Sequence, residues 1–131
     1  MAREGADITI VHLPEEKDDA EDTKRMIESE KRSCLLFGGN LVNRETCRKA
    51  VEEHVKKWVG SKLLLLGYYF LADNDRFGKI NVLVNNASKQ YMCKNFADID
   101  LDKVEDIFHT NILQMFAVTK YAVPHMTRGD R

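Results

Sequence analysis

Ile80-Asn81-Val82-Leu83-Val84-Asn85-Asn86-Ala87 sets the reading of the whole chain. A run of aliphatic and β-branched side chains leads straight into two asparagines. That pattern suits a buried strand of a parallel sheet that ends in a tight turn. Ligands of open α/β sheets bind at the carboxyl ends of such strands. Asn85, Asn86 and Ala87 are therefore candidate ligand-contacting residues, although two asparagines also make a plain turn on their own.

Two similar runs lie upstream. Ile8-Thr9-Ile10-Val11 is β-branched and reads as a strand, and Pro14 then opens a charged helix reaching to about residue 31. Cys34-Leu35-Leu36-Phe37 is a short apolar run stopped by Gly38-Gly39, as in a buried parallel strand. After Asn43, which reads as a cap, Cys47, Ala50, Val51, His54, Val55 and Trp58 recur at helical spacing. Downstream, Asp100 caps a helix with an apolar stripe of Val104, Ile107, Phe108, Met115, Val118 and Ala122, and Pro124 closes it. Strand and helix alternate three times, which argues for an α/β fold with a parallel sheet. Residues 59–76 break the rhythm with an apolar run too long for a simple connection.

Asn111 falls on the stripe of the last helix, between Ile107-Phe108 and Met115. A buried amide costs free energy unless it is hydrogen-bonded. Two readings stand: a core asparagine satisfied by a neighbouring carbonyl, or an active-site amide that orients a water or a side chain.

Composition narrows the function classes. The 131 residues carry 20 Lys and Arg against 21 Asp and Glu, for a net charge of −1. Nucleic-acid binding, which needs a basic face, is not expected. The most apolar stretch is too short for a membrane span, so no membrane partner is expected either. Three widely spaced cysteines, Cys34, Cys47 and Cys93, make neither a C-x-x-C site nor a disulfide framework. A reducing, cytoplasmic location follows. The scattered histidines offer no metal spacing, and no metal site is expected. Arg128-Gly129-Asp130 spells an adhesion tripeptide, read here as chance.

Taken together, Ala2 to Asp7, Asn40-Leu41, Ile80 to Ser88, Phe108-His109-Thr110-Asn111-Ile112 and Thr119-Lys120 with Pro124-His125-Met126 resemble the short-chain dehydrogenase/reductase family. The resemblance implies a partial doubly wound, Rossmann-like parallel sheet flanked by helices and incomplete at both ends. It implies one partial NAD(P)-binding domain over residues 1–131, with 59–76 inserted as an intron-like or purposeful extra segment. Asn40 and Leu41 would contact the adenine, Asn85, Asn86 and Ala87 would border the cofactor, and Asn111 would be the catalytic asparagine. The cofactor would be NADP or NAD, and the substrate of full-length relatives a small alcohol or carbonyl compound. His12-Leu13 after the first strand leans toward NADP.

The family's glycine-rich loop belongs before Met1, and its serine and Y-x-x-x-K pair after Arg131. Neither stands within the 131 residues. The expectation is an incomplete, catalytically incompetent oxidoreductase. The alternatives are a non-catalytic interaction protein and a product with no function. The interaction protein would pair with an intact paralogue, as a homo- or hetero-oligomer through the helices at 44–58 and 101–122. A further expectation is that residues 63–70 fill the slot of the missing central strand.

Overall fold

The computed structural model describes residues 1–63 and 79–130. The expected role of residues 63–70, and residues 64–76 of the proposed insertion, lie outside the described residues. Contacts group the described residues into two compact units, 1–40 with 52–63 and 41–51 with 79–130.

The first unit is a strand–helix–strand crossover. β1 (Ile8–His12) pairs in parallel with β2 (Cys34–Gly38), Ile8 opposite Cys34 and His12 opposite Gly38. The β-branched side chains of β1 favour the extended backbone. Between the strands, Leu13 enters a short 3₁₀ turn at Pro14–Glu16 and α1 follows over Lys17–Ser29. Pro14 sits where a helix start lacks a partner for its N–H, and Glu16 accepts from the Leu13 amide at 3.1 Å. Ala20 and Ile27 of α1, two turns apart, are buried, as is Cys34 of β2. Burying an isoleucine of this kind is worth roughly 1.5–3 kcal/mol. Asp7 ties the crossover at its base, accepting from the Ser33 amide at 2.9 Å and pairing with Arg32 at 2.6 Å. The later turns of α2 (Arg44–Leu63) belong to this unit, and His54 Nδ1 lies 2.8 Å from Thr9 Oγ1 on β1.

In the second unit, Asn43 caps α2 by accepting from the Glu45 amide at 2.8 Å. Cys47, Ala50 and Val51 form a buried face at helical spacing. Asp100 caps α3 (Leu101–Phe108), accepting from the Asp102 amide at 3.0 Å. The long helix expected from the sequence is interrupted: a π-helical turn at His109–Leu113 separates α3 from α4 (Gln114–Ala122). A 3₁₀ turn at Val123–His125, with Pro124 inside it, ends the element.

Two further expectations need correction. The sheet has two strands among the described residues, and Ile80 to Val84 is not one of them. A strand exists by pairing, and this segment has no strand neighbour there. Ile80 is buried, but its amide donates to the His125 carbonyl at 2.8 Å. Phe108 also leaves the expected core stripe, being 58% exposed. It joins Leu101, Ile112 and Phe116 in a second, outward row.

Candidate functional site

Among the described residues no ladder satisfies the backbone of the segment that follows Val84, and side chains of the α3–α4 element bond to it instead. Thr119 Oγ1 accepts from Asn85 Nδ2 at 3.2 Å. Gln114 Nε2 donates to the Ala87 carbonyl at 2.9 Å. Asn111 Oδ1 accepts from the Lys89 amide at 2.7 Å, and its Nδ2 donates to the Lys89 carbonyl at 2.8 Å. Asp106 then accepts from Lys89 Nζ at 2.9 Å and from the Tyr91 hydroxyl at 2.7 Å. Read along the chain, residues 85, 87, 89 and 91 meet residues 119, 114, 111 and 106 in reverse order. The segment therefore runs antiparallel to the helix.

This arrangement resolves the geometry of Asn111. Both of its amide atoms are spent on main-chain partners, so its side chain works as a clamp. It sits at the centre of the π-helical turn, half-buried. Such turns recur at functional sites because the extra residue re-aims the side chains around it. The neighbouring Thr110 hydroxyl is buried without a partner, a cost that the turn carries.

The structure brings Asn85, Ala87 and Asn111 onto one face of α3–α4. Asn85, Asn86 and Ala87 are all exposed, so polar atoms of a ligand can reach them. Asn40 is exposed in the first unit, and Leu41 is half-buried in the second. The Leu41 carbonyl accepts from the Cys47 thiol at 2.9 Å. Gln114 is the residue that sequence reasoning missed. The signal was available: like Asn111, it is an amide on an otherwise apolar stripe.

The cluster of Lys89, Tyr91 and Asp106 is fixed by charge. Hydrogen bonds from Lys89 and then Tyr91 hold the Asp106 carboxyl below the usual carboxylate range. Asp106 in turn raises the Lys89 ammonium and the Tyr91 phenol. A phenol that keeps its proton more tightly is the reverse of a tyrosine activated for acid–base work. Lys103 Nζ also stands over the Tyr91 ring at 5.6 Å, within cation–π range. A cavity of about 110 Å³ opens beside this cluster, lined by Tyr91, Cys93, Ile99, Lys103 and Ile107 among others. It is smaller than the roughly 300 Å³ at which small-molecule sites begin, and none of Asn40, Leu41, Asn85, Asn86, Ala87 and Asn111 lines it.

Residues 71–131 match the family model described as short chain dehydrogenase. The oxidoreductase YhdF of Bacillus subtilis is 38% identical over 129 residues, covering 98% of this chain and 38% of its own length. A short-chain dehydrogenase/reductase mutant from Serratia marcescens superposes with a TM-score of 0.79 at 21% identity, over 99% of this chain and 44% of that one. A short chain dehydrogenase from Burkholderia cenocepacia, solved in complex with NADP, gives 0.77 at 21% identity, again over 99% and 44%. The chain thus spans well under half the length of the relatives it matches. Among the described residues, no helix is long and apolar enough to cross a membrane.

Proposed function

Because the chain belongs to the short-chain dehydrogenase/reductase family, we propose that its clamped 85–91 segment is the cofactor-bordering part of an NAD(P)-dependent oxidoreductase. The observation that carries this reading is the double hydrogen bond between Asn111 and Lys89. It holds the stretch beyond Asn85-Asn86-Ala87 rigid while leaving the turn itself exposed. A preorganised turn loses less freedom when it meets a ligand.

Asn85, Asn86 and Ala87 would border the dinucleotide, Asn40 and Leu41 would meet the adenine, and Asn111 would support the catalytic end. Neutral amides suit the polar, uncharged parts of such a ligand. The cofactor supplies hydride when bound. The cofactor is NADP or NAD, with a lean to NADP from His12-Leu13 standing where NAD enzymes often carry an acid. The substrate class is a small alcohol or carbonyl compound. The 131 residues alone are read as catalytically silent, since neither the family's glycine-rich loop nor its Y-x-x-x-K pair occurs among them. A reducing cytoplasm suits the three unpaired thiols.

The test is a titration of the full chain with NADP⁺ and NAD⁺ by calorimetry, with a parallel assay of hydride transfer from NADPH or NADH to mixed aldehydes. Weak NADP⁺ binding without turnover is expected. Turnover would overturn the silence of the isolated chain, and no binding of either dinucleotide would overturn the cofactor reading.

A second reading is supported by the outward row of α3–α4. Leu101 and Phe116 are 71% and 73% exposed, and Phe108 and Ile112 stand between them. Exposed large apolar side chains gathered on one helical element are what an interaction partner would cover. In this reading the chain is a non-catalytic partner that pairs, as a homo- or hetero-oligomer, through that row. Co-purification with a full-length paralogue, abolished by Phe116→Glu, is the expected result. A monomeric chain that captures no paralogue would count against it.

A further inference from the structure

Gln114 opens α4 directly after the π-helical turn and is buried, at 6% exposure. An amide is an expensive group to bury, and a leucine or methionine would fill the same space at less cost. Its Nε2 donates to the carbonyl of Ala87 at 2.9 Å. A carbonyl oxygen only accepts, so the contact fixes which end of the Gln114 amide faces it.

Fixing the Ala87 carbonyl fixes the peptide plane between Ala87 and Ser88. The turn is then held at three points by one helical element: Asn85 by Thr119, Ala87 by Gln114 and Lys89 by Asn111. The bonds at Asn85 and Lys89 are exposed, and that at Ala87 is part-buried. Water competes for the outer two and less for the middle one, so the middle contact sets the turn.

We propose that Gln114 is the positioning residue of the Asn85-Asn86-Ala87 turn, turning the Ala87 carbonyl inward so that the turn's outer face is presented to the dinucleotide. The cofactor half of this inference rests on the reading given above, and the conformational half stands without it.

The full chain, labelled with ¹³C and ¹⁵N, provides the test. Gln114 and Gln90 are the only glutamines in the sequence, so their side-chain amides are readily assigned. Slower solvent exchange at Gln114 than at Gln90 is expected. Gln114→Met keeps the volume and removes the donor, and should move the Ala87 carbonyl and the Asn86 and Ser88 amides while leaving Ile8 to His12 in place. Gln114→Glu adds a titratable readout. Protonated, it donates to Ala87 and restores the parent shifts; ionised, it does not. A space-filling role predicts parent-like shifts for Met and no pH response for Glu, and either result overturns the positioning role.

NADP⁺ titration completes the test, with affinity about tenfold weaker for Gln114→Met. Equal affinity in parent and variant would remove the cofactor half and leave the cofactor reading intact. A parent chain that binds neither NADP⁺ nor NAD⁺ would instead sink the reading itself, and the cofactor half with it.

Discussion

Asn111 holds Lys89 by both of its main-chain polar groups, with Oδ1 2.7 Å from the amide nitrogen and Nδ2 2.8 Å from the carbonyl oxygen. One side-chain amide thereby mimics the two bonds that a neighbouring strand would supply. Asn111→Asp keeps the acceptor, loses the donor and sets a carboxylate against the Lys89 carbonyl. A loss of about 1–2 kcal/mol is expected in urea unfolding. Lys89 amide exchange should accelerate more in Asn111→Ala than in Asn111→Asp, because alanine removes both bonds. Equal exchange in the parent and both variants would show that the clamp does not form in solution.

Much of this was legible in advance. The caps at Asn43 and Asp100, the strands at Ile8 to His12 and Cys34 to Gly38, and the unusual position of Asn111 follow from local chemistry. The fate of Ile80 to Val84 was not legible. Its composition specifies an extended, half-apolar segment, but pairing depends on what lies beside it, which no local pattern encodes. The π-helical turn was hidden for a related reason. Its extra residue leaves the apolar spacing on either side nearly unchanged, so periodicity does not reveal it.

The three thiols should differ sharply in reactivity. Burial raises the thiol pKa of both Cys34 and Cys47, and Cys47 is fully enclosed while donating to the Leu41 carbonyl. Cys93 is exposed. Thiolate is the reactive form, so brief alkylation of the native chain should label Cys93 first, with Cys34 and Cys47 modified only after unfolding. Peptide mapping by mass spectrometry checks the order. Early labelling of Cys47 would contradict the packing of the first turns of α2.

Lys31 ends α1 with φ of +59°, the left-handed conformation that usually falls to glycine there. Its amide donates to the Glu28 carbonyl at 2.9 Å, so the turn itself satisfies the helix end. A side chain costs roughly 1 kcal/mol or more in that region. Lys31→Gly relieves the strain but also frees the unfolded chain, so a net gain of a few tenths to about 1 kcal/mol is expected. Lys31→Val should lose stability, since a β-branched residue is least tolerated at positive φ. Thermal unfolding of the three proteins should rank Gly above Lys above Val.

Asp130 anchors the end of the described chain to its middle. Its carboxylate accepts from the Thr127 amide at 2.6 Å, the Thr127 hydroxyl at 2.8 Å and Asn81 Nδ2 at 3.1 Å, with Lys79 Nζ at 3.4 Å. An aspartate occupied in this way is not presented as part of an adhesion tripeptide. The Thr127 amide is the main reason that its pKa falls to about 2. An unfolded aspartate titrates near 3.9. The folded group thus prefers the charged form, and its contribution is complete above about pH 4 and lost as pH falls through about 2. The Thr127 and Asn81 resonances should therefore hold steady down to pH 4 and shift together with a midpoint near 2. Asp130→Asn should loosen the 127–130 turn already at neutral pH and abolish the acid transition. A midpoint near 4 in the parent would mean that the carboxylate is solvated rather than bound to Thr127.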